Sequence, residues 1–342
     1  MKAGMKRISE MTGYSVATVS NALNHKRGVN NETSTRIIQA AQELGYINSA
    51  KISKIRFVTY KKNGLIIDDT PFFPALIDGV EREAKGLGYE TVFCTLDRES
   101  ANYEEQVASI LSDPAAGVLL LGTEMVEEDY QPYQDAKSPL VLLDGWCESF
   151  PFDSVLISNA DSAAQAAQHL ISKGHRRIGY LKGKFRIKNF AYRSAGFRQA
   201  LCRSGLALAP LDTVPLLSTM EGAYQDMKEW LKTAKSLPTA FFADNDVIAL
   251  GAMRALKETG VRVPEDVSVI GFDDLLLGEV SSPRLTTVHV FKQEMGQLAV
   301  RRLVDIIQKN GSRTRAKIQV CTQLVERESV FDRNQSIDRL EE

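Results

Sequence analysis

With 342 residues, 44% of them apolar, the chain can fill two or three ordinary domain cores. Its formal charge of −1 conceals an asymmetry: residues 1–54 hold eight Lys/Arg against three Asp/Glu, the remainder 34 against 40. That is the pattern of a basic head that meets nucleic acid, carried on an acidic body. The four cysteines (Cys94, Cys147, Cys202, Cys321) stand far apart with no CxxC pair, which argues against a disulfide framework or a zinc site. No apolar leader or membrane-length run is present, so a cytoplasmic protein without membrane contact is expected.

The head is organised around Ser15-Val16-Ala17-Thr18-Val19-Ser20-Asn21-Ala22-Leu23-Asn24. Ser15 can cap a helix beginning at Val16. Helical spacing puts Val19, Ala22 and Leu23 on one side, and Ala17, Asn21 and Asn24 on the other. A preceding helix with Ile8 and Met11 supplies the apolar side's partner, across a turn that Gly13 permits. This predicts a helix-turn-helix with a small, polar, uncharged outer face, a shape that fits a DNA major groove. His25-Lys26-Arg27-Gly28 then makes a turn with two cations for phosphates. Asn30 caps a third helix with Ile37, Ala41 and Leu44 inward, and Gly45 ends it.

These residues, with Val29-x-x-Glu32-Thr33 and Leu44-Gly45-Tyr46, resemble the headpiece of the LacI/GalR (lactose-repressor) family, and the likeness runs through almost the whole chain. The resemblance implies that Val16, Ala17 and Asn21 reach base edges of operator DNA, while Ser15, Thr18 and Asn24 hold phosphates. Many members carry Arg where this chain has Asn21. Arg prefers guanine, whereas Asn can pair with adenine N6/N7; the alternative is that Asn21 touches only a phosphate. The linker departs as well. Residues 47–54 join the headpiece, 1–46, to a first body strand at Ile55, and they lack the Ala-Arg-x-Leu hinge helix whose leucine wedges into the minor groove. Ile52 is either a substitute wedge or part of an extended connector.

From Ile55 to 331, short β-rich runs alternate with helical patterns, the clearest helix being Asp161–Lys173 with its stripe Ala163, Ala164, Ala167, Leu170 and Ile171. Such alternation predicts an α/β body with two parallel sheets of about five strands each and a cleft between lobes. By resemblance the body is periplasmic-binding-protein-like, with one lobe near 55–157 plus 290–320, the other near 158–289 plus 321–331, and a mobile tail, 332–342. The helix with Leu76, Val80, Ala84 and Leu87 is the implied homodimer face, with plain core as the alternative.

Ligands of parallel sheets sit beyond the strands' carboxyl ends. There the chain places Phe72-Phe73, Asp144 and Trp146, Ser158-Asn159, Asn245-Asp246 and Asp273-Asp274, with Arg193 further into a helix. Aromatic faces stack on a sugar's C–H face, and Asp, Asn and Arg pair with its hydroxyls. The resemblance makes Phe72, Phe73, Asp144, Ser158, Arg193, Tyr224, Asn245 and Asp273 effector-binding residues; for Asn245, Asp246 and Asp274 helix capping competes. The cations Lys182, Lys184, Arg186 and Lys188 point either to an anionic sugar or to a solvated charged loop.

Enzyme signatures fail one by one: Asp273-Asp274 lacks a separate acid/base partner, Gly179/Gly183 before Lys184 is no phosphate loop, and the four histidines have no metal-ligand spacing. A repressor without cofactor or metal, controlled by a small molecule such as a sugar, is the expectation. A protein-partner signal or a sugar receptor without regulatory work are the alternatives.

Overall fold

Asn30 and Ser15 open the two helices that matter most in the head, each by lending a side-chain oxygen to a free first-turn amide. Thr18 N donates to Ser15 Oγ at 3.1 Å and Thr33 N to Asn30 Oδ1 at 2.8 Å. The computed structural model describes residues 2–23, 29–44, 52–68, 70–309 and 314–334. By contacts the chain divides into two units, Met1–Lys54 with Asp113–Ala116, and Ile55–Ser112 with Gly117–Glu342.

In the first unit, α1 (Lys2–Thr12), α2 (Val16–Leu23) and α3 (Asn31–Glu43) close on Ile8, Val19, Ala22, Ile37, Ala40 and Ala41. Gly13 turns between α1 and α2 at φ 75°, a conformation glycine adopts without steric cost. Two expected core residues lie elsewhere: Met11 is 53% and Leu44 37% exposed. Met11 falls in the last turn of α1 and Met5 packs inward instead, while Ala40 and Ala41 fill the seam one turn after Ile37, before Leu44 is reached.

The second unit contains the body. Its first lobe runs β1 (Lys54–Lys61), α4 (Phe72–Gly86), β2 (Glu90–Asp97), α5 (Tyr103–Leu111), β3 (Ala116–Leu121), β4 (Leu140–Leu143) and β5 (Asp153–Ile157). The chain then crosses into α6 (Asn159–Ser172), β6 (Ile178–Gly183), α7 (Lys188–Arg203), β7 (Thr213–Leu216), α8 (Met220–Thr233), β8 (Ala240–Ala243), α9 (Asp246–Glu258), β9 (Ser268–Ile270) and α10 (Leu276–Val280). Strand β10 (Thr287–His289) leads back to α11 (Lys292–Gln308) and β11 (Lys317–Val320) of the first lobe, and β12 (Gln323–Val325) returns to the second.

The first lobe's sheet has six strands in the order β11-β5-β4-β3-β1-β2, the second's four in the order β7-β6-β8-β9. β11 lies parallel on β5, with Ile318 opposite Val155, and this accounts for six and four rather than five each. β3, β4 and β5 are buried at every position, and β3 and β4 accordingly read as unbroken apolar runs, while β5 opens on Asp153, buried against Arg302 and Arg315. β10 and β12 form an antiparallel ribbon, Val288 opposite Leu324, where the chain passes between lobes. The sequence carries no signal for it, because three residues are too few for a period-two pattern.

The stripe assigned to a homodimer face is core. Leu76, Val80 and Ala84 are fully buried under α11, and only Leu87 is exposed (44%). A Cβ at Gly79 would collide with the Gln293 carbonyl and one at Gly296 with the Leu76 carbonyl, so the two helices touch backbone to backbone. Of the tail, 332–334 is tethered: Arg333 N donates to Lys173 O at 2.9 Å, and Asn334 Nδ2 to Ser172 O at 2.8 Å. Residues 335–342 lie outside the described residues, as do most of the linker (47–51) and the turn 24–28.

Candidate functional site

Two surfaces carry the chemistry. On α2, Val19 and Ala22 are buried, while Ser15, Val16, Ala17 and Asn21 are exposed. Thr18 is half-buried, its hydroxyl 2.9 Å from that of Ser15. Asn24 lies outside the described residues. The exposed face carries no charge, so what it can offer a duplex is shape, methyl groups and one bidentate amide.

The second surface lies between the lobes, at the carboxyl ends of the strands. Arg193, 3% exposed on α7, is its centre. Its Nε donates to Asn159 Oδ1 at 2.8 Å, Nη1 to the Asp244 carbonyl at 2.5 Å and Nη2 to Asp273 Oδ1 at 3.3 Å. The guanidinium also lies 3.6 Å from the centre of the Phe272 ring. Asn159 Nδ2 passes the network to Asn189 Oδ1 at 3.2 Å, and Asn189 Nδ2 to Asp144 Oδ1 at 2.9 Å. Thr123 Oγ1 completes it on Asp144 Oδ2 at 2.7 Å. A chain of paired polar groups thus runs from one lobe to the other.

Beside it, Asp244 is fully buried and takes Tyr180 OH at 2.5 Å, Gly183 N at 2.7 Å and the Arg186 guanidinium. Burial raises the carboxyl pKa values here. Asp144 is pushed up to about 6, with Thr123, Arg193 and Asn189 pulling back. Asp244 and Asp273 rise for the same reason, opposed chiefly by Arg186 and by Arg193 respectively. Asp246, bonded to Thr287 Oγ1 at 2.6 Å and Leu275 N at 2.8 Å, is raised to about 8 by burial and then by the charge of Asp273. Asp144, Asp273 and Asp274 all hold positive φ (54°, 111° and 53°), strained backbone of the kind found at ligand sites.

Of the residues expected to bind an effector, Asp144, Arg193 and Asp273 share this network. Phe72 packs edge-on to Phe73 at 5.2 Å and lies 5.7 Å from Lys292 Nζ, which also reaches the Asp274 carbonyl at 3.3 Å. Asn245 caps α9, its Oδ1 accepting from Ile248 N at 3.0 Å. Ser158 donates to Asp161 at 3.0 Å, and its neighbour Asn159 takes the network position. Tyr224 is not brought in: its hydroxyl donates to Glu258 at 2.5 Å and its ring lies under Arg254, between α8 and α9. Asp274 is held by Arg327 and His289, both at 2.7 Å, and together they outweigh burial and keep its pKa below the usual carboxylate value.

Three of the four cations of the basic loop already have carboxylate partners. Lys184 pairs with Asp226 at 2.6 Å, Arg186 with Asp244, and Lys188 with Glu127 at 2.5 Å. Thr123, Asn189, Asp244 and Lys292 belong to the site although sequence reasoning does not single them out, whereas Asn159 and Arg186 are named there, as a strand-end polar group and as one of four loop cations. Asn189 was findable, since it precedes Arg193 by four residues on one helix face, and Asp244 stands just past the end of β8. Among the described residues no helix is long and apolar enough to cross a membrane, and none of the His, Cys, Asp and Glu groups could hold a metal ion.

Comparison with known proteins places this geometry. The family model for bacterial regulatory proteins of the lacI family matches residues 4–49, and that for a periplasmic binding protein-like domain matches 167–330. An HTH-type transcriptional repressor PurR of Pasteurella multocida (strain Pm70) is 32% identical over 334 residues, covering 97% of this chain and 99% of its own. The solved transcriptional regulator CelR–cellobiose complex is similar with a TM-score of 0.72 at 28% identity, over 95% of this chain and 99% of that one. The lac repressor dimer bound to operator and the anti-inducer ONPF gives 0.71 at 25%, over 95% and 98%. A head matched by its own family model, joined to a body that follows a repressor from end to end, makes this chain a member of the lacI family of bacterial regulatory proteins.

Proposed function

We propose that the chain is a sequence-specific transcriptional repressor, working in the cytoplasm as a homodimer on a pseudo-palindromic operator and controlled by a small molecule that enters the interlobe cleft. The observation that carries this reading is the division of α2, with Val19 and Ala22 buried and Val16, Ala17 and Asn21 exposed. In our reading these three meet base edges and Ser15, Thr18 and Asn24 hold phosphates, with residues 47–54 as the tether. Asn21 is assigned to an adenine.

The effector is assigned to Asp144, Asn159, Arg193 and Asp273, with Phe72 and Phe73 as an aromatic wall. Alternating carboxylate, amide and guanidinium groups suit vicinal hydroxyls, so a neutral sugar fits better than an anionic one; the cellobiose complex supports this. The reading requires no catalytic step. A second copy has a face to dock on: α10 exposes Leu276 (74%), Leu277 (44%) and Val280 (72%), and a cavity of about 590 Å³ lined by Leu250, Met253 and Pro283 opens on the same lobe.

Selection of bound sequences from random duplex DNA, followed by gel shifts with a panel of sugars, tests the reading. One preferred site, released or tightened by a neutral sugar, is the expected result. A preference unchanged when Val16, Ala17 and Asn21 are all replaced would overturn the DNA assignment. A shift indifferent to every small molecule would favour a protein signal.

A further inference from the structure

One short stretch ties the two lobes together across the cleft. The beginning of α7, on the second lobe, presents Lys188, Asn189 and Tyr192 to loops of the first. Lys188 Nζ donates to Glu127 Oε2 at 2.5 Å and lies 3.4 Å from Glu148 Oε1; Tyr192 OH donates to that same Glu148 oxygen at 3.0 Å. The Tyr192 ring meets Trp146 edge-on, centroids 5.4 Å apart, and Asn189 reaches Asp144.

The receiving side is built in advance. The other oxygen of Glu127 accepts the backbone N–H groups of Glu148 and Ser149 at 2.8 and 2.6 Å. The carboxylate is therefore fixed on the loop after β4 and does not depend on Lys188 for its position. The pair is partly withdrawn from water, with Lys188 23% and Glu127 28% exposed, so salt screens it less than an open surface pair but does not leave it untouched. Each of these ties joins side chains on different lobes, which are also linked by the Arg193 network, the Lys292–Asp274 contact, the ribbon and the crossovers.

We propose that Lys188 and Tyr192 form an ion-pair latch that holds the lobes closed by the chain's own contacts, so that the cleft opens only when Glu127 and Glu148 are released. The latch would set the closed population whichever ligand enters, and so does not rest on the effector assignment.

The test uses the full chain with Trp230→Phe, which leaves Trp146 as the sole tryptophan, and measures acrylamide quenching together with small-angle X-ray scattering. Parent protein should quench more easily and scatter as a larger particle as salt rises from about 50 mM to about 1 M. Lys188→Ala should show at least about a twofold higher quenching constant already at low salt, as expected if the open form becomes the major one, and little further salt response. Lys188→Arg should stay closed, and Tyr192→Phe should shift the same way by less. Parent quenching and scattering indifferent to salt would overturn the latch without any variant. So would a folded Lys188→Ala that matches the parent at both salt levels.

Discussion

Arg193 shows how much one side chain can hold in place. Its three donors serve Asn159, a backbone carbonyl and Asp273, all buried. Arg193→Met would strand Asp273 and Asn159 in a dry site, and breaking such a pair costs about 3–5 kcal/mol. Urea unfolding of the variant should show that loss together with a loss of effector response; an unchanged midpoint would mean that water replaces the guanidinium. Asp246 is the clearest pH reporter. Its folded pKa of about 8 lies far above the ordinary 3.8, so the folded state holds a proton that the unfolded chain has released. Its contribution to stability is complete below about pH 4 and declines as pH rises, until it is gone above about 8. Asp246→Asn should flatten that decline, read as the difference between parent and variant unfolding curves from pH 4 to 9. His175 has the opposite sign: buried between Thr239 and the Phe331 carbonyl, with its pKa lowered to about 4 by burial, it costs stability as pH falls below 6.5.

Helices of this body meet where a glycine lets them. Gly196 on α7 lies against the Ala160 carbonyl of α6 so closely that a Cβ would overlap it. Gly196→Ala should push the helix pair apart, at a cost of about 1–3 kcal/mol by analogy with overpacked cores. Because Asn159 opens α6 and Arg193 sits one turn before Gly196, effector affinity should fall with thermal stability; a variant that loses neither would show that the helices separate freely. In the head, Ser15→Ala removes the cap of α2 and should cost about 1 kcal/mol, seen as weaker binding to every DNA sequence. Asn21→Arg should instead change which base is preferred.

At this scale the limits of sequence reading have physical causes. The apolar period of α6 is visible because one helix face packs on one core. The stripe on α4 is equally visible, but what covers it is α11, more than 200 residues further on, and periodicity carries no information about the covering partner. Asp144 and Asp273 are legible because strand ends point to clefts. Arg193 comes from a local motif, whereas Asn159 and Asp244 acquire their roles only once Arg193 arrives from another element. Tyr224 matches a motif by spacing, yet its hydroxyl is taken by Glu258 on the neighbouring helix α9.

At the scale of the molecule, α10 groups three of the exposed large apolar side chains among the described residues, Leu276, Leu277 and Val280. Val280→Asp would put a carboxylate where a second copy is expected to dock and should drive the protein to monomer in sedimentation. Its operator affinity should then fall steeply, since a palindrome rewards two linked heads. A monomeric variant with parental affinity would sever dimerisation from DNA binding.

The order of the strands has one more consequence, which concerns birth rather than function. The central sheet of the first lobe takes its edge strand β11 and its covering helix α11 from residues 292–320, after all of the second lobe except its closing segment around β12 has been made. On the ribosome the half begun first therefore stays incomplete until almost the end, its apolar flank bare while some 130 residues emerge. A nascent chain stalled near residue 290 should be a preferred client of holdase chaperones, and one extended past 320 should not.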